Sequence, residues 1–522
     1  MKKQTKGIIF TVLFGGGLLF WATAASMPNL MPGEEEPQIT ITGTPADNFP
    51  DDQRAQFCET GDAKSNQFVS EYKIPTGCTQ PLAIVTDPQG NVWFAQTNTG
   101  KIAKFDPNTE TFIEYENPSW PPQRRSMMWG MDYAPDGSIW YTDEAHDRIW
   151  KFSIQDEEYV SMTYPATGDS LPQRLKVEGS EIIVNDFTGG KLTFLDPAQL
   201  GDEVTYTTLP SPIESSLAGD FAVDSQNNIW YTNWIFQTGG VLVKFDRENY
   251  VEESPLNTAT SVYEFPPDLT TPNGVVIGPE GNIWILDTSS SFFFSFDPET
   301  NEFTKYITSD PTLETYGNAS GLIKAPVSRP YWSEVDDSGR IVFNEQTANR
   351  MGFFDPIAQS LVEYLIPSKN PNWADCEGLN DCGLSQMFGF TLDGDKVWFT
   401  QWVENNIGVL DTSVELPFSI DTDAQEIILA KGETIEFDMM VVPQTGSDIR
   451  NVSFVTTDTA SFSDLVVSSD TSEFQLDFDG IQVIKVSITA SNSALATSHK
   501  VLIGAQTDDV TISKYITVHI SQ

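Results

Sequence analysis

The chain has 522 residues, of which 74 are acidic and 29 are basic, and its formal net charge at pH 7 is −45. This excess of negative charge argues against nucleic acid or an anionic membrane surface as a partner, because both would repel the protein. It fits a soluble surface in salty or cation-rich surroundings, or a basic partner. The length leaves room for more than one domain.

The N-terminal residues 1–31 have the pattern of a signal or anchor segment. Lysines precede an uncharged, apolar run from Ile8 to Ala25, which at about 18 residues is just long enough to span a bilayer. Ala22-Thr23-Ala24 also fits a signal-peptide cleavage site, so cleavage and anchoring both stay open. In either case the order of charges exports the rest of the chain. We expect an extracytoplasmic protein that touches a membrane only through this segment.

The next residues, 32–65, are rich in proline and acidic side chains and are expected to form an acidic linker. The chain has four cysteines, and in an exported protein they predict two disulfides. Proximity favours Cys58–Cys78 and Cys376–Cys382, although sequence alone leaves the connectivity open. The spacing of these cysteines matches no metal-binding motif.

One phrase repeats through residues 66–412. Its first copy is Gly90–Phe94, followed by Lys101–Pro107 and Phe112–Tyr115. The middle segment of this copy, Lys101–Pro107, has six counterparts further along the chain. They are Arg148–Ser153, Lys191–Pro197, Val241–Arg247, Phe292–Pro298, Arg350–Pro356 and Asn406–Thr412. Seven copies of short β-rich runs with Asp, Pro and Gly turns, spaced roughly 40 to 60 residues apart, predict a seven-bladed β-propeller.

Each copy contains four strands, and one extra outer strand precedes the first blade. This strand, Phe68–Pro75, contains the Glu-Tyr pair that also ends the outer strand Phe112–Tyr115. We expect it to become the outer strand of blade seven, because ring closure hides edges that would otherwise pair with other chains. The rival for this place is Val414–Phe418.

The remaining residues, 413–522, change character and lack the tryptophans and Asp-Pro turns of the repeat. The alternating segments are Glu426–Leu429, Thr434–Val442, Val452–Val455, Gln482–Ala490 and Ile516–Ile520. Short alternating strands over a region of this length predict an immunoglobulin-like β-sandwich. The predicted fold class is therefore all-β, a propeller followed by a sandwich.

The strand phrases Gly-Asn-x-Trp-Phe, Lys-Ile-x-x-Phe and Phe-x-Glu-Tyr resemble the streptogramin (virginiamycin B) lyase family over residues 68–412. The resemblance implies magnesium-assisted opening of a lactone ester by elimination, with histidines at the inner-strand starts of blades six and seven. Here Tyr331 and Phe388 stand at those histidine positions, and Gln386 and Trp402 replace two glutamates. A tyrosine expected in blade one is Leu82. Lyase activity is therefore not expected.

Histidine is scarce in this chain. There are three, and His499 and His519 belong to the C-terminal region. His146, in a blade-two turn, is the one candidate base of the propeller, and an exposed loop histidine without function is the competing interpretation.

The funnel face of the propeller is the predicted binding site, because inner-strand starts and second-strand ends meet there. The candidate ligand-binding side chains are Trp129, Trp234, Tyr331, Phe388, Trp402, Asp143 and Glu144. Aromatic faces beside carboxylates suit a ligand with an apolar or sugar face and a positive charge. The candidate metal ligands are Asp186, Asp287 and Glu345, for Ca²⁺ or Mg²⁺. Alternatively, this ring bonds only to backbone amides and trapped water.

Two functions follow from these patterns. The leading hypothesis is a cell-surface or secreted propeller that binds a small molecule, a sugar or a protein without catalysis. The alternative is a metal-assisted lyase or hydrolase that acts on an exported ester, lactone or sugar substrate in the funnel. The sequence identifies no definite cofactor.

Overall fold

The computed structural model describes residues 58–521, apart from 122–123, 167, 169, 202–203, 236–237, 251–257, 313–326, 375, 377, 381, 445–449, 460–463 and 478–479. The predicted signal or anchor segment 1–31 and most of the acidic linker 32–65 lie outside the described residues. No helix in the described part of the chain is long and apolar enough to cross a membrane.

The described residues of the first part of the chain form 28 strands, with a 3₁₀ turn at Pro371–Trp373. In chain order they are β1 (Val69–Lys73), β2 (Pro81–Thr86), β3 (Val92–Gln96), β4 (Lys101–Asp106), β5 (Thr111–Tyr115), β6 (Met131–Ala134), β7 (Ser138–Asp143), β8 (Arg148–Ser153), β9 (Glu158–Thr163), β10 (Pro172–Glu178), β11 (Glu181–Asp186), β12 (Lys191–Leu195), β13 (Tyr206–Pro210), β14 (Leu217–Val223), β15 (Ile229–Ile235), β16 (Gly239–Phe245), β17 (Thr260–Glu264), β18 (Pro272–Ile277), β19 (Ile283–Asp287), β20 (Phe292–Asp297), β21 (Glu302–Ile307), β22 (Pro330–Val335), β23 (Ile341–Glu345), β24 (Arg350–Asp355), β25 (Ser360–Leu365), β26 (Met387–Asp393), β27 (Lys396–Gln401) and β28 (Asn406–Asp411).

These strands form the predicted seven-bladed propeller. Blades one to six each use four consecutive strands, from β2–β5 to β22–β25, and blade seven consists of β26–β28 with β1. The first strand of each blade is innermost, and these inner strands lie against one another around a closed ring.

Side chains of the repeated phrase build the inner hairpin turn of a blade. In blade one, Asp87 Oδ1 accepts the backbone N–H of Asn91 at 2.9 Å, and Trp93 Nε1 donates to Asp87 Oδ2 at 2.8 Å. Blade four repeats the arrangement with Asp224 and Trp230, whose Nε1 lies 3.0 Å from the carboxylate. The Asp-to-Trp spacing of the sequence therefore reflects a turn whose carboxylate is satisfied by its own blade.

A polar side chain of the second strand links most blades to the next. Each link joins a Thr hydroxyl or Asn amide to a backbone carbonyl of the neighbouring inner strand. The links are Thr142 to Gln173, Asn185 to Ala218, Thr232 to Pro272, Asn344 to Met387 and Thr400 to Leu82, at 2.7–3.2 Å. These hydrogen bonds satisfy carbonyls that face the axis rather than a partner strand.

The ring closes through the strand that precedes blade one, as predicted. β1 pairs antiparallel with β28, and Val69 lies opposite Leu410. Phe68, which is buried, contacts Tyr364 of blade six edge-to-face at 5.0 Å. The closing strand therefore joins blade seven by hydrogen bonds and blade six by packing.

The rest of the chain forms nine further strands. They are β29 (Phe418–Thr422), β30 (Glu426–Ala430), β31 (Thr434–Pro443), β32 (Arg450–Asp458), β33 (Leu465–Ser469), β34 (Glu473–Leu476), β35 (Gln482–Ala490), β36 (Ser498–Gln506) and β37 (Val510–Ser521). One sheet has the order β29-β31-β35-β33, and the other has the order β37-β36-β32-β34 with β30 parallel to β37. Buried apolar residues of both sheets share one core. Strands β29, β33, β34 and β36 were not anticipated from the sequence.

The sandwich is continuous with the propeller through sheet hydrogen bonds. β37 pairs antiparallel with β25, the outer strand of blade six, so that the two regions share a nine-stranded sheet. The hydroxyl of Tyr515 also donates to the carbonyl of Ile307 at 2.6 Å, and its ring contacts Phe354 at 5.5 Å. The outer edge of blade six is therefore covered by the C-terminal region.

Both predicted disulfides are confirmed. Cys58 and Cys78 are joined with their Cα atoms 5.7 Å apart, and Cys376 and Cys382 with theirs 5.5 Å apart. Next to the first bridge, the backbone N–H of Glu59 donates to the carbonyl of Val403 at 2.9 Å. The described end of the expected linker is therefore attached to blade seven.

We predict that Phe68→Ala lowers the free energy of unfolding by about 3–5 kcal/mol, because it removes a buried ring from the closure of the propeller. Ser70→Ala, an exposed position on the same strand, is the matched control and should change it little. Urea denaturation of both variants measures the difference. Equal stability of the two would mean that the closing strand contributes no packing energy.

We also predict that a chain ending at Thr412 is less stable and self-associates, because the edge of β25 and the apolar surface beneath β37 become exposed. Size-exclusion chromatography with light scattering and thermal melting check this. Tyr515→Phe is a milder version that should lower the melting temperature by removing one buried hydrogen bond. A monomeric truncated chain with an unchanged melting temperature would contradict the prediction.

Candidate functional site

The aromatic residues predicted to face the funnel pack against one another at the axis. Phe388 contacts Trp129 at 5.7 Å, Trp402 at 5.7 Å and Tyr331 at 6.3 Å, while Tyr331 stacks on Trp332 at 5.0 Å. All five rings are at most 3% exposed. We call these residues the axial aromatic cluster. Edge-to-face pairs of this kind are stabilising packing, and their role as ligand contacts stays a prediction.

Trp234 lies outside the axial aromatic cluster. It is fully buried and contacts Phe187 edge-to-face at 5.6 Å. Within the described residues its Nε1 has no hydrogen-bond partner. A buried indole N–H without an acceptor is unusual, so Trp234 offers a polar donor as well as an aromatic face.

Two of the predicted metal ligands are held by the backbone of their own blades. Asp186 Oδ1 accepts the backbone N–H of Leu171 at 2.7 Å, and Asp287 Oδ1 accepts that of Thr271 at 2.8 Å. Ser290 adds a hydroxyl donor to Asp287 at 2.8 Å. Burial raises the pKa of both carboxyl groups, and the hydrogen bonds oppose that increase.

The third predicted ligand, Glu345, belongs to a charged group beneath the sandwich. Arg350 Nη2 lies 3.0 Å from its carboxylate and 3.6 Å from that of Glu363. Burial raises the pKa of Glu345 to about 8; Arg350 opposes the increase and Glu363 adds to it. One buried guanidinium is therefore shared by two carboxyl groups, of which Glu345 holds its proton at neutral pH.

The magnesium ion implied by the resemblance has no matching set of ligands in the described chain. Asp186, Asp287 and Glu345 come from three different blades and each is bonded within its surroundings. No group of three His, Cys, Asp or Glu side chains among the described residues could hold a metal ion. The described residues therefore do not bring the three predicted metal ligands together, and Ca²⁺ or Mg²⁺ binding stays a prediction.

The two neighbouring carboxylates of blade two, Asp143 and Glu144, contact different side chains. Glu144 Oε2 accepts the indole N–H of Trp129 at 3.0 Å and so anchors the axial aromatic cluster. Asp143, which is fully buried, lies with both carboxylate oxygens 2.9 Å from Nδ1 of His146. His146 lines an open cleft of about 450 Å³, together with Arg148. The structure therefore joins one predicted site residue to the sole propeller histidine.

A charged cluster deeper on the axis was not anticipated from the sequence. Arg174 lies 3.2 Å from the carboxylate of Glu334 and 3.7 Å from that of Asp220, and its guanidinium lies 4.9 Å from the ring of Trp332. The sequence did contain one indication of this cluster, which is the presence of charged residues in otherwise apolar inner strands. Register shifts in β10, β14 and β22 aim these side chains at the axis, and strict alternation does not reveal such shifts.

The propeller is similar to solved streptogramin lyase structures. Virginiamycin B lyase from Staphylococcus aureus is 18% identical, with a TM-score of 0.51, and the match covers 67% of this chain and 99% of that one. A catalytically inactive variant of that lyase with quinupristin gives a TM-score of 0.50 at 18% identity, covering 67% of this chain and 99% of that one. A streptogramin B lyase gives 0.50 at 19%, covering 66% and 97%. This likeness confirms the fold resemblance predicted from the blade phrase.

No protein-family model matches the sequence. Likewise, no curated protein matches it. The similarity therefore rests on three-dimensional structure and concerns the propeller fold.

The Glu345 group generates a pH prediction. Because the pKa of Glu345 is raised from 4.5 to about 8 in the folded state, its contribution to stability is present below the unfolded pKa and is lost as pH rises through the folded value. Glu345→Gln has no proton to lose, so its melting temperature should exceed that of the wild type by a margin that grows from about pH 5 to about pH 8. Glu302→Gln, at an exposed position, is the matched control. A constant margin would contradict the prediction.

Proposed function

We propose that this protein is a cell-surface or secreted propeller that binds a ligand or a protein partner and lacks streptogramin lyase activity. The observation that carries the proposal is the content of the axis. Tyr331, Phe388 and Trp402 occupy positions at which the resemblance implies acid–base residues, and all three belong to the buried axial aromatic cluster. The rings of Phe388 and Trp402 transfer no protons in acid–base catalysis. Burial raises the pKa of the Tyr331 hydroxyl, which accepts a hydrogen bond from Gln173 at 3.2 Å, so this arrangement supports binding rather than elimination.

The location is part of the same proposal. Two disulfides favour an oxidising, extracytoplasmic compartment. The N-terminal segment 1–31 then supplies either a cleaved signal or a membrane anchor. A location outside the cytoplasm also suits a net charge of −45, because the acidic surface keeps an exposed protein soluble.

The C-terminal sandwich is, in this proposal, immunoglobulin-like. Its sheet orders are β29-β31-β35-β33 and β30-β37-β36-β32-β34, and the second strand, β30, pairs in parallel with the last, β37. Two packed sheets with crossed connections support that assignment. Since β37 continues the sheet of blade six, the sandwich would fix the orientation of any partner that it binds relative to the propeller.

The alternative enzyme, a metal-assisted lyase or hydrolase, is separated from this proposal by one assay. We predict that incubation of the chain with quinupristin and Mg²⁺ yields no ring-opened product above the buffer blank, measured by mass spectrometry. Virginiamycin B lyase from Staphylococcus aureus serves as the positive control. Product that accumulates in proportion to the added chain would overturn the proposal. A divalent cation found in stoichiometric amount by elemental analysis would revive the alternative.

A further inference from the structure

An open cleft lies beside the outer half of blade two, away from the axial aromatic cluster. Its walls include Pro121 from the loop between β5 and β6, His146 from the turn after β7, Arg148 and Trp150 from β8, and Ser161 from β9. We call it the blade-two cleft. None of its walls belongs to the residues that fill the axis, so the two places can act independently.

The imidazole of His146 is held in one orientation by a buried carboxylate. Both oxygens of Asp143 lie 2.9 Å from Nδ1, and Asp143 is itself fixed by the hydroxyl of Ser126 and by Trp150 Nε1 at 3.0 Å. Because a carboxylate only accepts hydrogen bonds, the proton of the ring lies on Nδ1. The ring edge with Nε2 is the part left for another molecule, and Trp120 supports the ring at 5.0 Å.

The guanidinium of Arg148 lacks a carboxylate partner. Its Nη1 donates to the hydroxyl of Ser161 at 2.7 Å, and no ion pair of Arg148 occurs within the residues that the structure describes. The chain contains 74 acidic residues and 29 basic ones, so an arginine that forms no ion pair within the described residues is unexpected. An arginine placed in a cleft with unused planar donors is suited to bidentate recognition of a carboxylate.

We propose that the blade-two cleft binds a carboxylate-bearing organic ligand with a flat apolar face. The carboxylate pairs with the Arg148 guanidinium beside the imidazole of His146, and the apolar face packs against Pro121 and Trp150. Asp147 also lines the cleft, which disfavours ligands with a second negative charge on that side. The inference deepens the proposed binding function by naming the chemical class of a ligand.

The number of histidines makes the test specific. With only three in the chain, selective ¹⁵N labelling of histidine gives three sets of imidazole signals in NMR spectra of the full chain. His499 and His519 lie on β36 and β37, so they are internal controls for changes unrelated to the cleft. The probe is sodium benzoate, and benzamide is its uncharged counterpart of the same shape.

We expect benzoate to shift the His146 signals in a saturable way and to leave the signals of His499 and His519 in place, with no shift from benzamide. Arg148→Gln should weaken benzoate binding at least about tenfold, the loss of one charge-assisted hydrogen-bond pair. Arg247→Gln, which removes an arginine from blade four, should bind as the wild type does. A matching thermal melt shows that each variant is folded.

Several results would overturn the inference: no shift of His146 with benzoate, equal shifts with benzamide, or equal benzoate affinity of Arg148→Gln and Arg247→Gln. The wild-type comparison of benzoate with benzamide decides the question even if Arg148→Gln fails to fold. The quinupristin assay tests lyase chemistry and not this cleft. Failure of the proposed non-catalytic function and failure of this inference are therefore observed separately.

Discussion

Seven inner strands have to approach one another closely around a single axis, and the rest of the propeller depends on how that crowding is accommodated. A Cβ atom at Gly389 would lie 2.1 Å from the carbonyl oxygen of Leu82, and one at Gly130 would lie 2.4 Å from that of Gln173. Glycine is needed there because the backbones touch. The hydroxyl of Thr400 then donates to the same Leu82 carbonyl, so close contact and hydrogen bonding coincide.

The second constraint is that the edge strands of the sheets should not stay exposed. Two of these edges are covered by strands from other parts of the chain. Blade seven receives its outer strand from β1 at the other end of the propeller, and blade six is extended by β37 of the sandwich. Exposed edges invite association with other chains. The two ends of the described chain are thus both used to cover the propeller, which explains why the sandwich is hydrogen-bonded to a blade instead of being attached by a flexible linker.

Polar side chains are arranged differently on the axis of the propeller and in the blade-two cleft. On the axis, aromatic rings and internally bonded charges such as Arg174 satisfy one another, which favours rigidity. In the cleft, Asp143 orients His146 while Arg148 keeps donors that no described carboxylate uses. Under the proposed function, the centre of this propeller is aromatic packing, and the proposed recognition site lies in the blade-two cleft.

The sequence by itself determined the number of blades, because repeat length and turn chemistry are local properties. It favoured the closure by Phe68–Pro75 and the two disulfide pairings, and the structure decided both. It also located the replaced lyase positions, since these lie at fixed places in the repeat. Only the tertiary structure decided that Arg174 faces the axis, that β37 joins blade six, and that His146 and Arg148 line the same cleft. Six of the seven inner hairpins contain a register shift, and contacts between distant residues cannot be read from alternation, because each shift turns the following side chains to the other face.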